Sequence, residues 1–141
     1  MATPSAIIWS NNQLQLLDQR ILPVQCEYLH YQDPFAVADA IRAMVVRGAP
    51  AIGITAAYGM VLAAQQITNT PASVAAWCSA LAPAREALAN SRPTAVNLFW
   101  ALDRCDRVIE EQGNGGKLLQ ALTELAVQIH AVVGCVLSNQ V

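Results

Sequence analysis

Charged side chains are scarce in this sequence of 141 residues, where they make up only 13% of the total. Soluble domains ordinarily carry about a quarter. No cluster of lysines or arginines stands out and the net charge is −2, so a nucleic-acid-binding surface is not expected. The first residues lack the basic and apolar regions of a secretory signal. These absences predict a cytoplasmic protein that does not bind nucleic acid.

Several common chemical motifs are also missing. Cys26, Cys78, Cys105 and Cys135 form no Cys-x-x-Cys pair and have no histidine pair beside them, so no metal site is expected. Small buried thiols in a reducing compartment are the ordinary interpretation. The sequence contains no Ser-His-Asp set, P-loop or dinucleotide-binding glycine motif. No cofactor is therefore predicted.

Apolar residues, in contrast, make up 55% of the chain, and residues 48–84 include no charged side chain at all. The apolar run within this segment ends at Gln65, short of the ~20 residues that a membrane span needs. A buried core helix is favoured over a transmembrane one. Gly53 and Gly59 each cost this helix about 1 kcal/mol relative to alanine, which suggests that another backbone packs closely there. The low charge also suggests apolar surface covered by a further domain or subunit, although a lightly charged monomer is the alternative.

Periodicity and capping residues predict a mainly α fold, in which a small N-terminal antiparallel β element precedes a bundle of about five helices. Alternation predicts strands at residues 6–9, 14–17 and 23–31. Caps and prolines predict helix starts near Asp33, Pro50, Ser73, Pro93 and Gly116. The first helix is expected to include Val45, and the fifth to cover residues 118–130.

Two junctions between a loop and a helix share features that favour phosphate binding. Arg47, Gly48 and Ala49 precede the second helix, and Arg92 precedes the fourth. A helix start carries free N–H donors and partial positive charge, and an arginine adds a planar fork of donors. The four residues are therefore candidates for binding a phosphorylated ligand. The alternative is that both arginines are ordinary surface residues near helix breaks.

Other polar residues are weaker candidates. His30 and His130 have no carboxylate at a catalytic spacing, so each is expected at the surface or at the edge of the core. Asp103 and Arg107 are spaced for an ion pair on a solvated helix face. Asn97, one turn into the fourth helix, either faces the same cleft as Arg92 or is solvated.

Two long stretches resemble the signature segments of the methylthioribose-1-phosphate isomerase family. Residues 42–59 contain Arg-Gly-Ala-Pro-Ala-Ile-Gly, and residues 91–104 contain Arg-Pro-Thr-Ala-Val-Asn-Leu-Phe-Trp. Residues 16–23, Leu-Leu-Asp-Gln-Arg-Ile-Leu-Pro, are similar to the N-terminal part of the same family. The resemblance runs from about residue 6 to 130. The wider superfamily includes ribose-1,5-bisphosphate isomerase and the regulatory subunits of translation initiation factor 2B.

The resemblance implies a role in methionine salvage, the conversion of 5-methylthioribose 1-phosphate to 5-methylthioribulose 1-phosphate. It assigns the binding of this phosphorylated pentose to Arg47, Gly48, Ala49 and Arg92. In the family a cysteine and an aspartate of a second, Rossmann-like domain carry the chemistry, and this sequence does not contain that domain. The resemblance therefore predicts no catalytic residue in this chain and no activity of the chain alone.

The resemblance also divides the chain. Residues 1–131 correspond to the N-terminal domain of the family, and residues 132–141 form an atypical tail. Cys135 lacks the family's surroundings of the catalytic cysteine and is not assigned that role. The expected partner is a missing second domain or a second copy in a homodimer. Two alternatives stay open: a non-catalytic binding or regulatory module of the initiation factor 2B type, and a small membrane-associated protein.

Overall fold

The fold begins with a three-stranded antiparallel sheet in the order β1-β2-β3, comprising β1 (Ile7–Ser10), β2 (Gln13–Leu17) and β3 (Tyr28–Tyr31). The structure, a computed structural model, describes residues 6–67, 71, 73–114 and 116–138, and for residues 133–138 the backbone alone. Asn11 and Asn12 join β1 to β2 with positive φ angles of 53° and 60°, as a type I′ hairpin requires.

The sheet buries one face, and the third strand is shorter than predicted. Leu14 and Leu16 of β2 are fully buried while Gln13 and Gln15 are half-buried, which is the period of two expected of a half-buried strand. Leu17, at the end of the strand, is also buried. Residues 23–27 do not join the sheet. They follow a 3-10 turn at Gln19–Ile21, where the buried Asp18 accepts hydrogen bonds from the Arg20 backbone and guanidinium. This contact lowers the pKa of Asp18.

Five helices follow: α1 (Pro34–Arg42), α2 (Ala49–Gln65), α3 (Val74–Ser91), α4 (Val96–Gln112) and α5 (Leu118–Ser138). The predicted fold class is confirmed. The Asp33 carboxylate caps α1 by accepting from the Phe35 N–H at 3.1 Å, and the Ser73 hydroxyl caps α3 by accepting from the Ala76 N–H at 3.2 Å. None of the described helices is long and apolar enough to cross a membrane.

Helix α1 ends earlier than predicted, because Met44 adopts a left-handed conformation with φ 68°. The Met44 N–H donates to the Ile41 carbonyl and the Val45 N–H donates to the Ala40 carbonyl, at 3.2 and 3.0 Å. This is a Schellman motif, which normally ends a helix at glycine. A methionine gives no such signal in the sequence, so Val45 was wrongly included in the helix.

The C-terminal helix is longer than predicted, and one predicted ion pair is wrong. Helix α5 continues past His130 to Ser138. Asp103 does not pair with Arg107 along α4, but meets Arg85 of α3 at 3.3 Å. Arg85 also contacts Asp106 at 2.9 Å, so the acidic residues of α4 tie it to the neighbouring helix.

Helix α2 lies at the centre of the bundle. Every residue from 51 to 64 is buried, and α2 packs against α1, α3, α4 and α5. The close approach suggested by the two glycines is confirmed for Gly53. A Cβ atom on Gly53 would lie 2.9 Å from the Asn97 carbonyl oxygen of α4, whereas one on Gly59 would meet only side chains, chiefly the Leu88 methyl groups at 3.0 Å.

The apolar surface is not fully covered. Several large apolar side chains are exposed on the helices, including Val96 at 78%, Val132 at 61% and Trp100 at 44%. Three of the exposed apolar residues, Leu119, Val127 and Val132, belong to α5. Exposed apolar side chains mark an interaction site where they form a contiguous patch.

The two glycines of α2 give a matched pair of substitutions. Gly53→Ala should lower the free energy of unfolding by about 1–3 kcal/mol, because the α4 backbone must shift. Gly59→Ala should cost less, since a leucine side chain can move and alanine favours the helix by about 1 kcal/mol. Urea unfolding of both variants measures the difference. Equal losses would contradict the close backbone contact at Gly53.

Candidate functional site

The first candidate loop leads into α2. Arg47, Gly48 and Ala49 are exposed, and Gly48 is the N-cap residue with φ 91°. That backbone angle is strained for any residue with a Cβ atom, so the position favours glycine. No side chain caps the helix start, which leaves the first N–H donors open to a ligand.

The second candidate loop leads into α4, and the predicted helix start there is wrong. Arg92 is the C-cap residue of α3, Ala95 is the N-cap residue of α4, and α4 begins at Val96. The Ala95 N–H donates to the Arg92 carbonyl at 3.0 Å, which closes a turn with Pro93 at its second position. Proline suits both the first helical turn and this turn position, so the local sequence does not distinguish them.

Arg92 is not an ordinary surface arginine. Its side chain is half-buried, and its Nε atom is buried without a hydrogen-bond partner among the described residues. Leaving a buried donor unsatisfied costs roughly 1–3 kcal/mol, and more when the group is charged. An acceptor supplied by a bound ligand would remove that cost.

Gly53 and Asn97 bring the two helix starts close together. Gly53 follows the N-cap of α2 by five residues, Asn97 follows the N-cap of α4 by two, and the two residues are in backbone contact. With a rise of about 1.5 Å per residue, both helix starts lie within about two turns of this contact. The joint action of Arg47, Gly48, Ala49 and Arg92 on one ligand stays a prediction.

A cleft of about 210 Å³ lies beside this contact. Helix α2 contributes Pro50, Gly53 and Ile54, helix α4 contributes Asn97 and Trp100, and helix α5 contributes Ile129. Asn97 is the one polar side chain in this lining, and its amide makes no hydrogen bond with another described residue. The guanidinium carbon of Arg104 lies 5.3 Å from the Trp100 ring centroid. No local pattern in the sequence indicates that Trp100 lines this cleft.

The sequence also did not indicate a cluster of rings between the sheet and α5. Trp9 stacks on Tyr58 with centroids 4.8 Å apart, and the Tyr58 hydroxyl lies 2.8 Å from His130 Nδ1. Burial lowers the pKa of His130 and raises the pKa of Tyr58. His130 is half-buried, which confirms its predicted place at the edge of the core.

The described cysteines do not form a reactive site. Cys105 is buried, and burial raises the pKa of its thiol to about 12. Cys26 and Cys78 are exposed and unpaired. No group of three or more His, Cys, Asp or Glu side chains within the described parts of the chain could hold a metal ion. The side chain of Cys135 lies outside the described residues.

A family profile and several known proteins are similar to this chain. The profile of the initiation factor 2 subunit family matches residues 45–134. Methylthioribose-1-phosphate isomerase from Thioalkalivibrio sulfidiphilus is 59% identical over 111 residues, which cover 79% of this chain and 31% of that protein. The same enzyme from Alcanivorax borkumensis is 54% identical over 131 residues, covering 92% of this chain and 36% of that protein.

Two solved structures are similar as well. One is 5-methylthioribose 1-phosphate isomerase from Pyrococcus horikoshii, with a TM-score of 0.84 and 33% identity over 92% of this chain. The other is subunit delta of translation initiation factor eIF-2B from A. fulgidus, with a TM-score of 0.73 and 34% identity over 93% of this chain. The chain spans about a third of the length of these relatives.

The burial of His130, whose ring contacts Tyr58, predicts a pH dependence of stability. The pKa of His130 is lower in the folded chain than its ordinary value, so the unfolded chain binds more protons below about pH 6.5. The contribution of His130 to stability should be fully present above that pH and be lost as the pH falls below it, through the lowered pKa of the folded chain.

Urea unfolding across this pH range measures the effect in the intact chain and in His130→Gln. The substitution should flatten the part of the dependence that arises from His130, whereas His30→Gln, at an exposed position, should leave it unchanged. An equal pH dependence in the intact chain and in His130→Gln would contradict the assignment.

Proposed function

The chain belongs to the initiation factor 2 subunit family, and we propose that it forms the N-terminal, substrate-binding part of an aldose–ketose isomerase. The substrate of this isomerase is 5-methylthioribose 1-phosphate, which becomes 5-methylthioribulose 1-phosphate in methionine salvage in the cytoplasm. The high identity to isomerases from two bacteria supports this choice within the family. The rest of the enzyme would come from a second domain, a second subunit or both.

The contact between Gly53 and Asn97 is the observation that carries the proposal. Because this contact holds the starts of α2 and α4 close together, one phosphate group would receive N–H donors and partial positive charge from both. Arg47 would approach it from the loop before α2. Arg92 would approach it from the loop before α4, with a buried Nε donor that has no acceptor in the described part of the chain. In this arrangement phosphate binding satisfies a donor that is otherwise unpaired.

The chemistry requires more than phosphate binding. The phosphate on C1 blocks spontaneous opening of the sugar ring, so an acid must assist opening, and a further group must manage the transfer between C1 and C2. The residues around the two loops supply arginines, backbone donors and the Asn97 amide, which can bind a ligand but are not the groups that usually act as general acids or bases. This chain would therefore bind the substrate and leave proton transfer to residues outside it.

A second candidate is a non-catalytic binding module. The similarity to subunit delta of eIF-2B from A. fulgidus favours it, because the same fold there belongs to a translation factor. Both candidates retain the helix bundle, but only the isomerase requires a sugar phosphate at the two loops. Binding of the phosphorylated pentose therefore distinguishes them.

Arg92→Ala should lower the affinity of the chain for 5-methylthioribose 1-phosphate. A hydrogen bond assisted by charge contributes about 1.5–3 kcal/mol, which corresponds to a weakening of roughly tenfold to a hundredfold. Isothermal titration calorimetry of the purified chain measures the change. Arg107→Ala is a matched control, because it removes the same charge from an exposed position on α4 and should leave the affinity nearly unchanged.

Two outcomes would contradict this prediction. An equal loss in Arg92→Ala and Arg107→Ala would mean that net charge alone attracts the ligand. No binding to the intact, folded chain would favour the non-catalytic module. In a parallel isomerase assay the chain alone should show no turnover. Turnover by the chain alone would contradict its role as the binding part only.

A further inference from the structure

We infer that the cleft between α2, α4 and α5 receives the methylthio end of the sugar phosphate, and that Trp100 determines specificity for that end. The inference rests on the proposed function, which places the phosphate at the two loops. It adds a subsite for the other end of the same molecule and names the side chain that selects for sulfur over hydroxyl.

The position of the cleft relative to the two loops supports this assignment. Pro50 and Gly53 belong to the first two turns of α2, directly after Gly48, and Asn97 and Trp100 belong to the first two turns of α4. Five residues of helix separate Gly48 from Gly53, a rise of about 7.5 Å. The phosphate and the C5 substituent of a pentose 1-phosphate are separated by a comparable length. A phosphate at the loops therefore places the C5 substituent beside the cleft.

The chemical character of the lining fits a thioether. Four of the lining residues, Pro50, Ile54, Trp100 and Ile129, are apolar, and the lining contains no charged side chain. A thioether sulfur makes favourable contacts with aromatic rings. A hydroxyl in the same place would lose its hydration without gaining a strong partner. The cleft thus favours a methylthio group over the hydroxyl of an unmodified sugar.

The size of the cleft and its one polar group fit a subsite better than a complete site. Its volume is about 210 Å³, whereas pockets for whole small molecules usually begin near 300 Å³. Asn97 lies in the first turn of α4 and lines the cleft, and its amide, which makes no hydrogen bond with another described residue, would meet the hydroxyls of the sugar. The charged, polar and apolar parts of the ligand would then each face a matching part of the protein.

Trp100 is held in place at this wall. Its side chain remains 44% exposed, and the Arg104 guanidinium lies over its ring at 5.3 Å. The contact of Gly53 with the Asn97 carbonyl fixes α4 against α2, which sets the width of the cleft. Trp100 can therefore contact a ligand without a rearrangement of the helices.

Calorimetric titration with two sugars tests the subsite. We expect the intact chain to bind 5-methylthioribose 1-phosphate about tenfold more tightly than ribose 1-phosphate, within the roughly 10- to 200-fold range of small apolar groups. Trp100→Ala should weaken binding of the methylthio sugar by about tenfold and leave that of ribose 1-phosphate nearly unchanged. Trp100→Phe should restore most of the preference. Phe35→Ala, which removes an exposed aromatic ring from α1, should change neither affinity.

The outcomes separate this inference from the proposed function. Equal affinity of the intact chain for the two sugars would overturn the subsite while leaving the phosphate site intact. A parallel loss for both sugars in Trp100→Ala would also overturn it, because the tryptophan would then support the whole site. If a correctly folded intact chain bound neither sugar, both the inference and the proposed function would fail. Circular dichroism of each variant shows whether it is folded.

Discussion

The burial of α2 on all sides is the constraint on which the rest of the structure depends. Residues 51–64 are buried without interruption, so no face of this helix is left for solvent. A helix that is apolar all round has to be surrounded by other elements, and here α1, α3, α4 and α5 provide that cover. The sheet adds Trp9, which stacks on Tyr58. The bundle is therefore arranged around one uncharged helix.

The central position of α2 also determines where a ligand can meet the chain. Most of its length is buried, and at its start the exposed Arg47, Gly48 and Ala49 can contact a molecule in solution. Gly53 then allows α4 to approach so closely that a second helix start lies beside the first. Gly53 also lines the adjacent cleft. Stability and the candidate site thus depend on one contact, and a substitution at Gly53 would affect both.

Features of the fold that depend on local chemistry could be predicted from the sequence. The caps at Asp33 and Ser73 can be predicted from the sequence because a side chain satisfies a neighbouring N–H group. The C-terminal end of α1 could not be predicted, because Met44 adopts a glycine-like angle that its residue type does not indicate. Pro93 fits two local conformations equally well. Asp103 forms its ion pair with Arg85 on α3, and the spacing of residues along α4 does not reveal this pair.

The residues of the candidate site also fall into two groups, those with a local signal in the sequence and those without one. Arg47, Gly48, Ala49 and Arg92 were identified because a loop before a helix start is a local feature of the sequence. The apolar wall with Trp100 and Ile129 was missed, since it exists only where α2, α4 and α5 meet. The arginines suit any ligand that carries a phosphate, whereas the apolar wall suits only ligands with an apolar group at the matching place. In the proposed site, specificity would therefore arise from helix packing, and affinity for phosphate would arise from two short loops.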